Sequence, residues 1–164
     1  MDRAARPGCK LRPRTPRRRA IMIRVPIAVL CRVVPVDRRR IRRAVTLVLS
    51  EAGYETGEIS VAVVDDAEMR ALHERYLNDD SSTDVLSFPL EVENNHIEGE
   101  IVVCAETAAR QGPRFGRPPE HELILYVVHG ALHLAGYDDV APRDRTVMRR
   151  RQDEYLERLG LGSG

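Results

Sequence analysis

From Met22 onward, apolar and polar positions settle into recognisable periods. Ile23–Val34 is rich in Val, Ile and Leu and reads as a strand. Asp37 is placed to cap a helix running to about Ala52. Its apolar positions Ile41, Ala44, Val45, Val48 and Leu49 share one face, and Gly53 ends it. Glu58–Val64 reads as a second strand, and Asp65 or Asp66 caps a second helix to about Leu77. Asp79–Thr83 is polar loop. Val85–Phe88 is a short strand stopped by Pro89, Glu91–His96 a charged turn, and Ile97–Cys104 a further strand with Gly99 as a candidate bulge. A helical turn follows at Ala105–Gln111. A loop rich in Gly, Pro and Arg then leads to an almost wholly apolar helix, Pro119–Ala135, closed by Gly136. Arg143–Leu159 is an amphipathic helix with Val147, Met148, Tyr155 and Leu159 inward. Strands and helices interleave without a strict βαβ rhythm and without repeats. The pattern predicts an α+β fold: one compact domain with a central mixed β-sheet packed with helices, over residues 22–160.

Residues 1–21 break the pattern. They are Arg- and Pro-rich, lack apolar periodicity, and are expected to be a disordered arm. It reads either as an upstream start-site extension, because Met22 opens the first strand, or as an RNA-binding arm. The overall charge of +1 conceals it: residues 1–20 hold eight basic groups and one acid, leaving 18 arginines against 24 acids in the rest. A mildly acidic body argues against claiming nucleic acid from charge alone. Arg38, Arg39, Arg40, Arg42 and Arg43 cluster at the start of the first helix, either as a solvated face or as a phosphate-contacting patch. The three cysteines, Cys9, Cys31 and Cys104, form no C-x-x-C pair, so neither a disulfide framework nor a cysteine zinc site is indicated. Cys31 and Cys104 sit in apolar runs and read as small core residues. No apolar run approaches the ~18–20 residues of a membrane span. The N-terminus lacks the form of a secretory signal, so the expected compartment is the cytoplasm.

The chemistry concentrates in His129-Gly-Ala-Leu-His133-Leu-Ala-Gly136-Tyr-Asp138-Asp139. Two histidines four apart share a helix face about 5–6 Å apart. Both imidazoles then reach one metal at about 2.0–2.1 Å. Gly136 can take the left-handed conformation that ends a helix and turns Asp138 or Asp139 back towards them. Three protein ligands leave a position for water, the mark of a catalytic site. The competing reading is a pair of hydrogen-bonded, half-buried helix histidines. An apolar helix carrying two imidazoles and followed by Gly and a carboxylate favours the metal. The Glu that serves as base in the H-E-x-x-H helix of zinc peptidases is absent, because Gly130 stands there. What remains is activation of water and polarisation of an oxygen by the metal, chemistry suited to phosphodiester hydrolysis. His73, His96 and His121 stand alone, and His121 and Glu122 lie too far along the helix to be ligands. Asp84 reads as a cap or brace in Thr83–Pro89.

At these residues the chain resembles the YbeY family of rRNA maturation endoribonucleases. The family's H-G-x-L-H-L-x-G-Y-D-H appears as HGALHLAGYDD, its T-D-V-L-S-F-P stands at Thr83–Pro89, and its G-D-I-x-I appears as Gly99-Glu-Ile-Val-Val103. The resemblance covers about Met22 to Leu159. It implies a metal-dependent, single-strand-specific endoribonuclease acting in 16S 3′-end maturation and ribosome quality control. The implied partners are single-stranded rRNA and the ribosome or its proteins, with no membrane and no nucleotide cofactor. It implies one zinc ion on His129, His133 and Asp139, with His129 as the catalytic residue and metal-activated water as nucleophile. Asp139 stands where the family has a third histidine. A carboxylate ligand adds negative charge and makes Mn²⁺ or Mg²⁺ more competitive. Leu77 stands where many members carry a phosphate-binding arginine, with Arg75 two residues before it. Two further readings remain beside this one: a non-catalytic ribosome-assembly factor with a structural metal, and a metal-dependent hydrolase of another substrate.

Overall fold

Nine residues of unbroken extended chain, Thr56–Val64, form the axis of the molecule (β3). Side chains alternate across it: Ile59, Val61 and Val63 enter the main core, while Val64 joins a smaller cluster on the opposite face. The computed structural model describes residues 19–79 and 83–162. The arm at residues 1–21 falls almost entirely outside them, as do Cys9 and residues 80–82 of the Asp79–Thr83 loop.

Around β3 the strands β1 (Met22–Arg24), β2 (Ile27–Val29), β4 (Val85–Glu93) and β5 (His96–Cys104) build one mixed sheet. Its order is β1-β3-β5-β4, with β2 also pairing β3. β1, β2 and β5 run parallel to β3, whereas β4 and β5 form an antiparallel hairpin. The helices are α1 (Arg38–Glu51), α2 (Asp66–Leu77), α3 (Ala105–Arg114), α4 (Pro119–Leu134) and α5 (Pro142–Arg158). α1 and α4 pack together in the main core, α4 lies on β4 and β5, and α2 covers the other face near β5. This is the expected α+β domain with a mixed sheet. Leu161, just past the expected boundary, is also buried.

Four expectations need correction. Ile23–Val34 is not one strand: it breaks at Val25-Pro26, where proline has no N–H for a ladder, and the Pro26 carbonyl accepts instead from Val61 N. Val85–Phe88 does not stop at Pro89. β4 is an edge strand, so an imino nitrogen facing outward costs no pairing, and the strand continues to Glu93. The bulge lies on β4 between Pro89 and Glu91, not at Gly99, and the turn narrows to Asn94–Asn95, with Asn94 at φ 53°. Gly99 instead permits close approach: a Cβ there would lie 2.9 Å from the Phe88 carbonyl oxygen and 3.3 Å from Leu134.

The basic start of α1 has structural partners. Arg38 donates to Ile27 O, Arg42 to Val25 O and Arg43 to Arg158 O, so these arginines tie α1 to the first strands and to the end of α5. Cys104 is buried and Cys31 partly buried against the core, and both are free thiols. At the start of α2 the two aspartates divide their roles. Asp65 caps by accepting from Glu68 N, and Asp66 ties α2 to α3. Both Asp66 oxygens accept from Arg110, with Cys104 and Thr107 adding bonds. Arg110 holds this carboxyl well below the usual carboxylate range, and Cys104 and Thr107 act in the same direction. A depressed folded-state pKa contributes stability above the unfolded value near pH ~4, lost as pH falls towards the folded one. Asp66→Asn should therefore lower the melting temperature at pH 7 and flatten the loss of stability below about pH 4. Parallel acid curves for the two proteins would contradict this.

Candidate metal centre

α4 begins after Pro118 with Pro119 in its first turn, where a missing N–H costs nothing, and Glu120 and Glu122 complement the helix dipole. Its middle is buried on nearly every side. At its end Gly136 adopts φ 100°. Gly136 N donates to His133 O and Tyr137 N to Leu132 O, a Schellman closure that satisfies two terminal carbonyls and reverses the chain. Asp138 then accepts from Asp139 N and Val140 N, forming a tight Asx turn. Arg145 of α5 donates to Val140 O and fastens the turn from outside.

The reversal brings Asp139 back over the histidines. The two Nε2 atoms of His129 and His133 lie 3.0 Å apart. Asp139 Oδ2 is 3.3 Å from His129 Nε2 and 3.4 Å from His133 Nε2. Ligands bonded at ~2.0–2.1 Å to a tetrahedral ion stand about 3.3–3.4 Å apart. The three atoms therefore span one face of such a tetrahedron. Two imidazole nitrogens and a carboxylate oxygen converging this closely need a shared proton or a cation between them. These side chains are 24–36% exposed, so the site is half-buried and open on one side.

One supporting residue has no sequence-level counterpart. His129 Nδ1 donates to Gln152 Oε1 on α5, which leaves the Nε2 lone pair pointing at the triangle. Its only sequence signal is position: Gln152 is a polar residue four after Met148 on the inward stripe of α5. Beside the triangle opens a cleft of about 400 Å³ lined by His129, Asp139, Gln152, Asp84 and Tyr126. Asp84 is exposed on it and, among the described residues, accepts a long 3.4 Å bond from Thr83, while its backbone carbonyl pairs with Cys104 N. Glu122, which the sequence set aside as a ligand, is 3% exposed and paired to Arg117 at 2.7 Å, and it also lines the cleft. Burial, then the Glu122 and Asp84 carboxylates, push the Tyr126 hydroxyl far up. Tyr126 thus stays a neutral donor.

Of the histidines outside the α4 motif, His96 has clear partners. It faces Glu98 at 3.3 Å and Thr56 at 2.9 Å, with Glu91 nearby, on the end of the β4–β5 hairpin. Leu77 is 56% exposed at the end of α2, and the Arg75 guanidinium lies 6.0 Å from the Tyr76 ring. Neither residue lines the cleft.

Residues 32–160 match the family model described as Endoribonuclease YbeY. A protein of Rhodopirellula baltica named Endoribonuclease YbeY is 36% identical over 126 residues, spanning 76% of this chain and 65% of that protein. One of the same name from Pelotomaculum thermopropionicum is 39% identical over 127 residues, spanning 73% of this chain and 84% of its own length. The solution structure of TM1509 from Thermotoga maritima superimposes with a TM-score of 0.58 at 27% identity, over 84% of this chain and 89% of that one. Among the described residues no helix is long and apolar enough to cross a membrane. The matched span holds the whole of the α4 motif and the turn that follows it, and the chain belongs to the YbeY endoribonuclease family.

Proposed function

We propose that this protein is a metal-dependent endoribonuclease that cleaves single-stranded RNA during maturation of the 16S rRNA 3′ end, with His129, His133 and Asp139 holding one zinc ion. The observation that carries the reading is the triangle of two Nε2 atoms and one carboxylate oxygen, open onto a polar cleft. The donor set suits zinc, and the carboxylate also admits Mn²⁺ or Mg²⁺. A divalent cation bound there supplies Lewis acidity for the scissile phosphate and acidifies water. The chain's own groups do the rest. Gln152 holds the His129 tautomer, the Asx turn at Asp138 aims Asp139, and Tyr126 offers a neutral hydroxyl on the cleft wall. Asp84 is the exposed carboxylate on that wall, suited to accept a proton or orient a water.

A purely structural metal is disfavoured by where the triangle sits. It lies half-exposed at the surface of a core that is continuous without it. Removing the metal should therefore abolish cleavage of a single-stranded RNA oligonucleotide and leave the circular dichroism spectrum and most of the thermal stability unchanged. Unfolding on chelation would favour the assembly-factor reading instead. On the endoribonuclease reading, the site of action is precursor rRNA in the cytoplasm, in company with the ribosome or its proteins.

The Gln152 brace gives a second check. Losing a partner that orients a ligating histidine typically costs 10–100-fold in metal affinity or activity. Gln152→Leu should fall in that range, whereas Gln152→Glu, which keeps the acceptor, should retain zinc. Equal zinc affinity in wild type and Gln152→Leu would show that the bond to His129 does not govern the site.

A further inference from the structure

Phe115 is the anomaly of the cleft. The chain has two phenylalanines. Phe88 packs against Tyr76 with ring centroids 5.0 Å apart, but Phe115 is 69% exposed. It lines the cleft beside the His-His-Asp triangle, and also an adjoining hollow of about 560 Å³ that shares Asp84, Glu122 and Tyr126 with it. The two hollows are therefore one groove passing the metal centre, with Phe115 on its wall.

The backbone holds this ring out. Phe115 N donates to Gly112 O at 3.0 Å, Gly116 N to Pro113 O at 3.1 Å and Arg117 N to Gly112 O at 2.9 Å. Arg117 is then pinned by its ion pair to buried Glu122. Even Gly112 has no spare room, since a Cβ there would lie 2.8 Å from Arg117 O. An aromatic face presented on a turn closed by three backbone hydrogen bonds has less backbone freedom to lose when it is covered, so stacking against it keeps more of its energy. On the same groove, α5 contributes Arg145 and Arg149. Arg145 spends a guanidinium nitrogen on Val140 O. Arg149 is exposed and, among the described residues, enters no ion pair or hydrogen bond.

We infer that Phe115 and Arg149 form a nucleotide subsite beside the metal centre: Phe115 stacks on an unpaired base of the RNA, and Arg149 contacts a phosphate of the same strand. The inference rests on the endoribonuclease reading and adds a recognition element to it. An aromatic ring can stack only on a base freed from a helix, so the subsite itself selects single strands without reading sequence. It also gives the groove a phosphate-binding arginine from α5 rather than from the end of α2, where Leu77 stands.

The test measures binding and cleavage of a short single-stranded RNA, and of an equally long oligonucleotide carrying abasic positions, by the zinc-loaded full chain. Stacking on one base is worth about 5- to 150-fold in affinity. Phe115→Ala should lose an amount in that range on RNA but little on the abasic strand, and Phe115→Trp should restore it. Arg149→Ala should weaken both strands and reduce the salt slope of binding by about 0.7, one phosphate's share. Neither side chain is part of the core, so melting temperatures should stay at the wild-type value. If wild type cleaves RNA while Phe115→Ala binds both strands as wild type does, the subsite is overturned and the nuclease reading stands. If wild type neither binds nor cleaves RNA, both fall.

Discussion

Alanine at His129 and His133 together should leave the purified protein without stoichiometric metal and without detectable RNA cleavage. Each removal deletes one of the three atoms that converge within 3.0–3.4 Å. A direct ligand should cost more than the 10–100-fold typical of an outer partner. Asp139→Ala should behave like the single histidine variants, because only its carboxylate closes the triangle. Asp138→Ala should be milder: its carboxylate faces back to the amides of Asp139 and Val140 and shapes the turn. Asp139→His should retain or tighten zinc and weaken Mn²⁺ and Mg²⁺, since a nitrogen replaces a hard, charged oxygen. Zinc and manganese titrations of the four proteins decide it. Wild-type zinc affinity in Asp139→Ala with a loss in Asp138→Ala would move the third ligand by one residue.

The histidine pair and the reversal after it were legible because their geometry is local, set by backbone conformations that single residues dictate. Local geometry left Asp138 and Asp139 both open as the third group, and the family resemblance pointed to Asp139. The helices were legible for the same reason: Asp37 caps where its spacing places it, and of Asp65 and Asp66, both open in the sequence, Asp65 is the cap. What escaped depends on partners far along the chain. Pro89 reads as a stop unless β4 is known to be an edge. Pro26 divides a run of β-branched residues whose composition alone predicts one strand. The arginines of α1 are largely exposed, as a solvated face would be, but their bonds to the carbonyls of Ile27, Val25 and Arg158 cannot be read from spacing. Gln152 meets His129 across 23 residues. Phe115 looks like a loop aromatic until the groove is seen.

The second large effect is expected at Gly130, where fold and reaction class meet. In sequence, this glycine is notable for what it is not, the glutamate base of a peptidase helix. In the structure it is where α4 lies directly on the sheet. A Cβ at residue 130 would stand 2.9 Å from Ile101 Cγ2 and 3.1 Å from Val85 Cγ2. Ile101 is fully buried, so it has nowhere to go. Gly130→Ala gains about 1 kcal/mol of helix propensity but meets an overpacking cost of about 1–3 kcal/mol. The net loss of stability should be modest. Metal affinity should fall as well, because lifting α4 off the sheet shifts His129 relative to Gln152 on α5, the partner that orients it. Gly130→Glu adds a carboxylate driven between Ile101 and Val85 without a partner, and should leave little folded protein. Packing at residue 130 thus opposes a peptidase base at that position. Thermal melts and zinc titrations of the two variants test it. A Gly130→Glu protein that melts like wild type would show that α4 has slack against the sheet, and the packing argument for the reaction class would be lost.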